Sequence, residues 1–339
     1  MPTPAETAYR AALIEARDRG YSLSRAALRA VDVAFRDALA RLTRDAAIGT
    51  VTAERAERLR REIIAVLAEI ERELARTTGQ ASNVIVRDLV DIHRDATVSI
   101  GQRYAAGLDT GAISARFDTV ATRALQALAA RGDVAATFRT LIRRHMVEAA
   151  PALDRVLRAG VAQGMSTRRL TEDVAAVLNG GERPASLRTA GLTDADLSGL
   201  RSLRYDATRI ARSETLNALR EGGRQAAVAS PVIMAQQWQL SGRHAPSGCA
   251  CEVLAKANWH GMGPGFFPPE AWPIAPHPFC SCYAGSVKLR PPSQWAQAKP
   301  AGPPRRLTPA RAPKPTGYGQ WTDARKRMLS GQLAHALAG

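Results

Sequence analysis

The chain is expected to be mainly α-helical: an elongated N-terminal helical bundle, then a small cysteine-bearing α+β module, then a basic, Pro-rich extended tail ending in a short helix. Three observations predict this. The first roughly 230 residues are rich in Ala, Arg, Leu and Asp and poor in aromatics, a mixture of high helix propensity. Apolar residues there recur at alternating steps of three and four, as in Leu28, Val31, Phe35, Leu39 and Leu42, and again in Leu59, Ile63, Val66, Ile70 and Leu74. Beyond residue 230 the composition changes sharply, because all four Cys, all five Trp and His244, His260 and His277 lie there.

Turn signals divide the helical part. Gly20, the stretch 49–52, the stretch 77–79, the stretch 107–111, Gly132 and Gly164 each read as a turn or cap, giving about seven helices before residue 180. Ser166 opens a run of helix formers over Thr167–Leu178, and Asn179, Gly180 and Gly181 close it. Residues 182–204 read as a looser link, followed by a helix over 205–222 carrying Arg209, Arg212, Glu214 and Arg220. The β-branched and aromatic residues of 232–240 predict a strand, and Tyr283–Leu289 a return strand. The stripes are narrow and bordered by charge, which favours a bundle over a thick globule. Residues 1–185 are thus read as the helical region, 186–290 as the module and 291–339 as strap and terminal helix.

Net charge is +16, which favours polyanionic partners. From Lys288 to Gly339 ten Lys and Arg face Asp323 alone, so more than half of that excess sits in the last stretch. Arg305, Arg306, Arg311, Lys314, Arg325, Lys326 and Arg327 form this basic tail, and the eight prolines of 291–315 keep it extended. Thr322 can cap a short helix whose Leu329, Leu333 and Leu337 share one face, suited to docking on a partner. The apolar runs are far shorter than the ~18 residues of a membrane span, and the first ten residues, with Glu6 and Arg10, do not resemble a secretory signal. Four cysteines are too few for a disulfide scaffold and suggest synthesis in a reducing compartment.

Those cysteines form two close pairs, Cys249 with Cys251 and Cys280 with Cys282. Two pairs of thiolates suit a tetrahedral structural zinc, with His277 or His244 as substitutes for one thiolate, although zinc knuckles usually space their pairs by two residues. Buried cysteines without metal, and a disulfide across the pairs, are the alternatives. The intervening Gly- and Pro-rich loop needs a staple, and a metal supplies one. Its Gly261, Gly263 and Gly265 imitate a phosphate loop only superficially, since no strand precedes them and Pro264 interrupts a helix start.

The order Arg209-Ile-Ala-Arg212-Ser-Glu214, a strand ending near Trp238, Arg243 before a cysteine pair, and His277-Pro-Phe-Cys280-Ser-Cys282 resembles the phage head morphogenesis family, the Mu F-like minor head proteins. The resemblance covers about residues 205–285. Ser213 stands where the family usually has Thr, Cys249-Ala-Cys251 where it has a wider pair, and Ser281 where it has Arg. It implies a low-copy virion protein made in the host cytoplasm, seated at or near the portal in contact with portal and neck proteins. Such a protein, present in several copies around a ring, helps procapsid assembly and the packaging or ejection of DNA. No reaction and no membrane are implied. Arg212 and Glu214 then read either as a pair fixing their helix against the zinc loop or as solvated helix charges.

Two other classes compete. A metal-dependent nuclease or hydrolase needs an open metal position, whereas four thiolates saturate zinc, and the nearest carboxylates are Glu252 and Glu270. A non-specific nucleic-acid-binding zinc protein fits the basic tail, but no regular aromatic platform for stacking is visible.

Overall fold

The computed structural model describes residues 2–44, 46, 49–130, 134–242, 250–273, 281–296 and 298, with backbone alone at 134–146, 148 and 250. It is mainly helical with one small three-stranded sheet. The helices are α1 (Pro4–Arg44), α2 (Ala53–Tyr104), α3 (Thr110–Ala115), α4 (Val120–Ala130), α5 (Val134–Ala162), α6 (Thr167–Leu178), α7 (Ala185–Thr189), α8 (Asp194–Ala229) and α9 (Ala250–Lys256). The strands are β1 (Ile233–Gln239), β2 (Phe266–Phe267) and β3 (Tyr283–Leu289). No helix among the described residues is long and apolar enough to cross a membrane.

The chain forms two compact units. A helical unit comprises Arg25–Ala81 and Gly132–Arg212; a sheet unit comprises Met1–Ser24, Ser82–Arg131 and Ser213–Gly339. Helices α1, α2 and α8 each contribute residues to both.

In the helical unit the two predicted stripes become the core. Val31, Phe35, Leu39 and Leu42 of α1 share one buried cluster with Leu59, Ile63, Ile70 and Leu74 of α2 and with residues of α5, α6 and α8. Turns are tied to one another here. Val51 N–H donates to Met165 O at 2.8 Å and Thr167 N–H to Gly49 O at 2.8 Å, joining the α1–α2 turn to the α5–α6 turn. Helix α6 has the predicted bounds and its Ser166 cap, whose side chain accepts from Arg169 N–H.

Several expected breaks are absent. Gly20 lies inside α1, where an added Cβ would collide with the Leu219 side chain of α8, so this glycine serves a close helix–helix approach and not a turn. The stretch 77–79 lies inside α2: one glycine costs about 1 kcal/mol in a helix, and the burial of Leu74, Ile85 and Val86 on either side outweighs it. Consequently six helices, not about seven, begin before residue 180 among the described residues. The supposed link over 182–204 is structured by α7 and by the first turns of α8. Thr193 and Asp196 cap α8 reciprocally, with Thr193 N–H donating to Asp196 Oδ2 at 2.9 Å and Asp196 N–H to Thr193 Oγ1 at 3.2 Å. Leu197, Leu200 and Leu203 then face the core.

In the sheet unit, β1 is the central strand and pairs antiparallel with both neighbours in the order β2-β1-β3. The predicted return strand has the observed bounds of β3. Ala5, Tyr9 and Leu13 of α1 pack in one cluster with Ile100, Ala227, Val232, Ile233, Val287 and Trp295, so the first turns of the chain cover the sheet.

Leu74 is fully buried, and Leu74→Ala is expected to lower stability by about 2–5 kcal/mol, read by denaturant unfolding followed through far-UV circular dichroism.

Candidate functional site

The module around β1 brings together residues distant in sequence. Cys251 on α9 and Cys282, just before β3, are both buried in one apolar cluster with Trp238, Leu254, Phe267 and Trp272. Aromatic rings frame it: Trp238 and Trp272 have centroids 5.4 Å apart, and Phe267 meets Trp272 edge-on at 6.1 Å and Trp259 edge-on at 5.9 Å. Thus one cysteine of each pair enters the same core.

The Gly- and Pro-rich loop between the pairs is stapled by its own backbone through residue 267. Gly265 N–H donates to Ala257 O at 2.7 Å, Trp238 N–H to Gly265 O at 2.7 Å, and Gly263 N–H to Asn258 Oδ1 at 2.8 Å. Gly265 has φ +74°, and a Cβ there would lie 2.8 Å from Ala255 O, so only glycine fits between α9 and β1. Lys288 of β3 closes the loop from the other side, donating to Met262 O at 2.5 Å with its ammonium 4.8 Å over the Phe266 ring. Because the Gly263 and Gly265 amides are engaged internally, this loop is not a phosphate cradle.

Helix α8 supplies the polar wall. Arg224 and Glu221, 4% and 0% exposed in their side chains, form a two-point pair through Nη2–Oε1 at 2.7 Å and Nε–Oε2 at 3.1 Å. Gln225 Nε2 donates to the same carboxylate at 2.9 Å. The short link before β3 is held from three sides: the Tyr21 hydroxyl donates to Ser281 O, Ser241 Oγ meets Ser281 Oγ at 2.8 Å, and Arg220 Nη2 reaches Cys282 O at 3.5 Å. These contacts position Cys282.

A cavity of about 50 Å³ lies here, lined by His93, Arg17, Arg220, Arg224, Gln236 and Cys282 among others. Gln236 is 1% exposed and its Oε1 has no partner among the described residues. His93 has its pKa pushed down to about 4 by burial, so the imidazole is neutral. Nearby, burial also lowers His260, opposed by the charge of Glu270.

The expected residues distribute as follows. Cys251 and Cys282 converge in the core; Cys249, Cys280, His244 and His277 lie outside the described residues. Among the described residues no group of three or more His, Cys, Asp or Glu is placed to hold a metal ion. The two described thiols nonetheless suit a thiolate-rich structural metal, since burial in an apolar shell keeps water from its ligands. Arg212 and Glu214 are half-buried on α8 and each engages a partner. The basic tail residues and Leu329, Leu333 and Leu337 lie outside the described residues. The structure adds Glu221, Arg224, His93 and Gln236 to these residues. The signal for the pair was a Glu and Arg at i, i+3 flanking Gly222 and Gly223, small residues that admit a neighbouring backbone.

Glu221→Ala strands a buried guanidinium and is expected to cost about 3–5 kcal/mol, measured by chemical unfolding with Trp fluorescence as the reporter.

Compared with protein-family models, with curated proteins and with solved structures, the chain matches none.

Proposed function

We propose that the chain is a minor structural protein of a tailed-phage head, seated at or near the portal and acting in procapsid assembly and in DNA packaging or ejection. The motif resemblance over about residues 205–285 supports this reading. The observation that carries it is the convergence of Cys251 and Cys282, one from each pair, in a single buried cluster beside β1. Such a closed, aromatic-lined knot holds elements in place and suits attachment better than turnover.

In this proposal a structural zinc is held by Cys249, Cys251, Cys280 and Cys282, with His277 or His244 able to take one place; when bound it crosslinks the two halves of the loop. The tail leaves a firm root. Trp295 is 1% exposed and its Nε1 donates to Arg290 O at 2.7 Å, while Arg290 Nη1 donates to Pro231 O at 3.0 Å. Beyond residue 298 eight Lys and Arg face Asp323 alone, a charge suited to non-specific phosphate contact with packaged DNA. Leu329, Leu333 and Leu337 dock on a portal or neck protein.

Two experiments test this. Metal analysis of the purified chain should find zinc that is lost in Cys280→Ser; a metal-free preparation that folds normally contradicts the zinc. Deletion of residues 328–339, which removes Leu329, Leu333 and Leu337 but no Lys or Arg, should abolish incorporation into particles, followed by immunoblotting of purified heads, while leaving the DNA affinity of the free protein unchanged. Metal-dependent cleavage of DNA by the purified chain, or normal incorporation of the truncated one, contradicts the structural role.

A further inference from the structure

We propose that His93 is a proton-sensitive clasp: a neutral imidazole that fastens the first turns of α1 to α2 and α8 in the sheet unit and loosens that joint on acidification. The inference does not depend on the capsid reading.

The geometry is a buried polar chain linking three helices. Tyr9 Oη of α1, fully buried, lies 2.8 Å from Nδ1 of His93 on α2, which is 2% exposed. Tyr9 Oη also lies 3.4 Å from Thr97 Oγ1, and Thr97 Oγ1 lies 3.0 Å from Ser230 Oγ at the end of α8. The other ring nitrogen faces α8, where an added Cβ at Gly223 would lie 3.8 Å from Nε2. With its proton on Nε2, the ring accepts the Tyr9 hydroxyl at Nδ1; a second proton turns Nδ1 into a donor and reverses that bond.

Among the described residues the surroundings offer that second proton no counter-charge. The cavity beside His93 is lined by Arg17 of α1, by Arg220 and Arg224 of α8 and by Cys282 and Tyr283, and its described lining includes no Asp or Glu. Glu221 is paired with Arg224. Asp18 pairs with Arg17, and on α2 itself Asp88 pairs with Arg19 while Asp91 and Asp95 pair with Arg94. An imidazolium here would be a buried cation among guanidiniums.

Burial accordingly pushes the folded pKa from 6.5 to about 4. Above pH 6.5 both folded and unfolded chains carry neutral His93, and the clasp is intact. As pH falls from 6.5 toward 4 the unfolded chain takes up a proton that the folded site refuses, so stability drops, by roughly 150-fold in the folding constant at pH 4. Tyr9 shares its cluster with Val232, Val287 and Trp295, so release frees the root of the basic tail as well.

The test uses the full chain under mildly denaturing conditions. Trp238, Trp272 and Trp295 are buried in the sheet unit, and the residues of the helical unit include no Trp, so intrinsic fluorescence reports the sheet unit. The wild type should lose its buried-Trp signal between pH 6.5 and 4, and His93→Gln, which still accepts from Tyr9 but does not titrate, should hold the signal to lower pH. Identical acid midpoints for the two proteins overturn the clasp. If His93→Gln does not fold, the imidazole resonances of wild-type His93 decide: they should stay neutral until unfolding, and titration near 6.5 in the folded protein overturns it.

Discussion

The sheet unit depends on one constraint: the C-terminal part of α8 is buried around most of its circumference although it carries charge. Thr215, Ala218, Glu221, Ala226 and Ala227 are at most 1% exposed, and Arg220, Arg224 and Ser230 are at most 7% exposed. A helix covered on all sides must find neighbours on all sides. Here the first turns of α1, the second half of α2 and the three-stranded sheet provide them. Small residues make the fit: an added Cβ at Gly222 would lie 3.3 Å from Val86 Cα, so α8 approaches the α2 backbone closely. The charges are tolerated because Glu221 and Arg224 neutralise each other at two points, and the buried Thr215 hydroxyl is satisfied by Ser24 at 2.7 Å.

Around this helix the cysteine knot and the tail root are placed by the same packing. Arg220 and Tyr21 hold the link carrying Ser281 and Cys282, and β3, paired with β1, carries the chain from there to Arg290 and Trp295. Segments at both ends of the sequence are therefore needed to build one core, which gives a basic tail a fixed origin. On the reading proposed above, this is what a connector requires: a rigid root, a crosslinked knot and a charged partner surface supplied by the last residues of the sequence.

Much of the fold was legible because periodicity and capping act locally. Ser166 with Asn179 fixed α6, the stripes of α1 and α2 became the core of the helical unit, and alternating residues marked β1 and β3. What was not legible depends on neighbours. Gly20 reads as a turn in sequence, yet in the fold it is the place where Leu219 needs room. The Thr193 and Asp196 cap was present as a short pattern but lay within a stretch without an apolar stripe long enough to mark a helix start. Of the four cysteines, Cys251 and Cys282 lie in one buried cluster, whereas Glu221 and Arg224 look like ordinary surface charges until their helix is found to be enclosed. His93 gives no sequence signal of its own, because its partner Tyr9 is 84 residues away.

Native-state hydrogen exchange of the full chain tests the enclosed helix most directly. If α8 is the centre of the sheet unit, the amides of residues 216–229 should be its slowest to exchange, and those of α1 over 9–20 and of β1 should open together with them. Rapid exchange over 216–229 while β1 stays protected would contradict the account, since the helix would then be a peripheral element and not the one on which the others close.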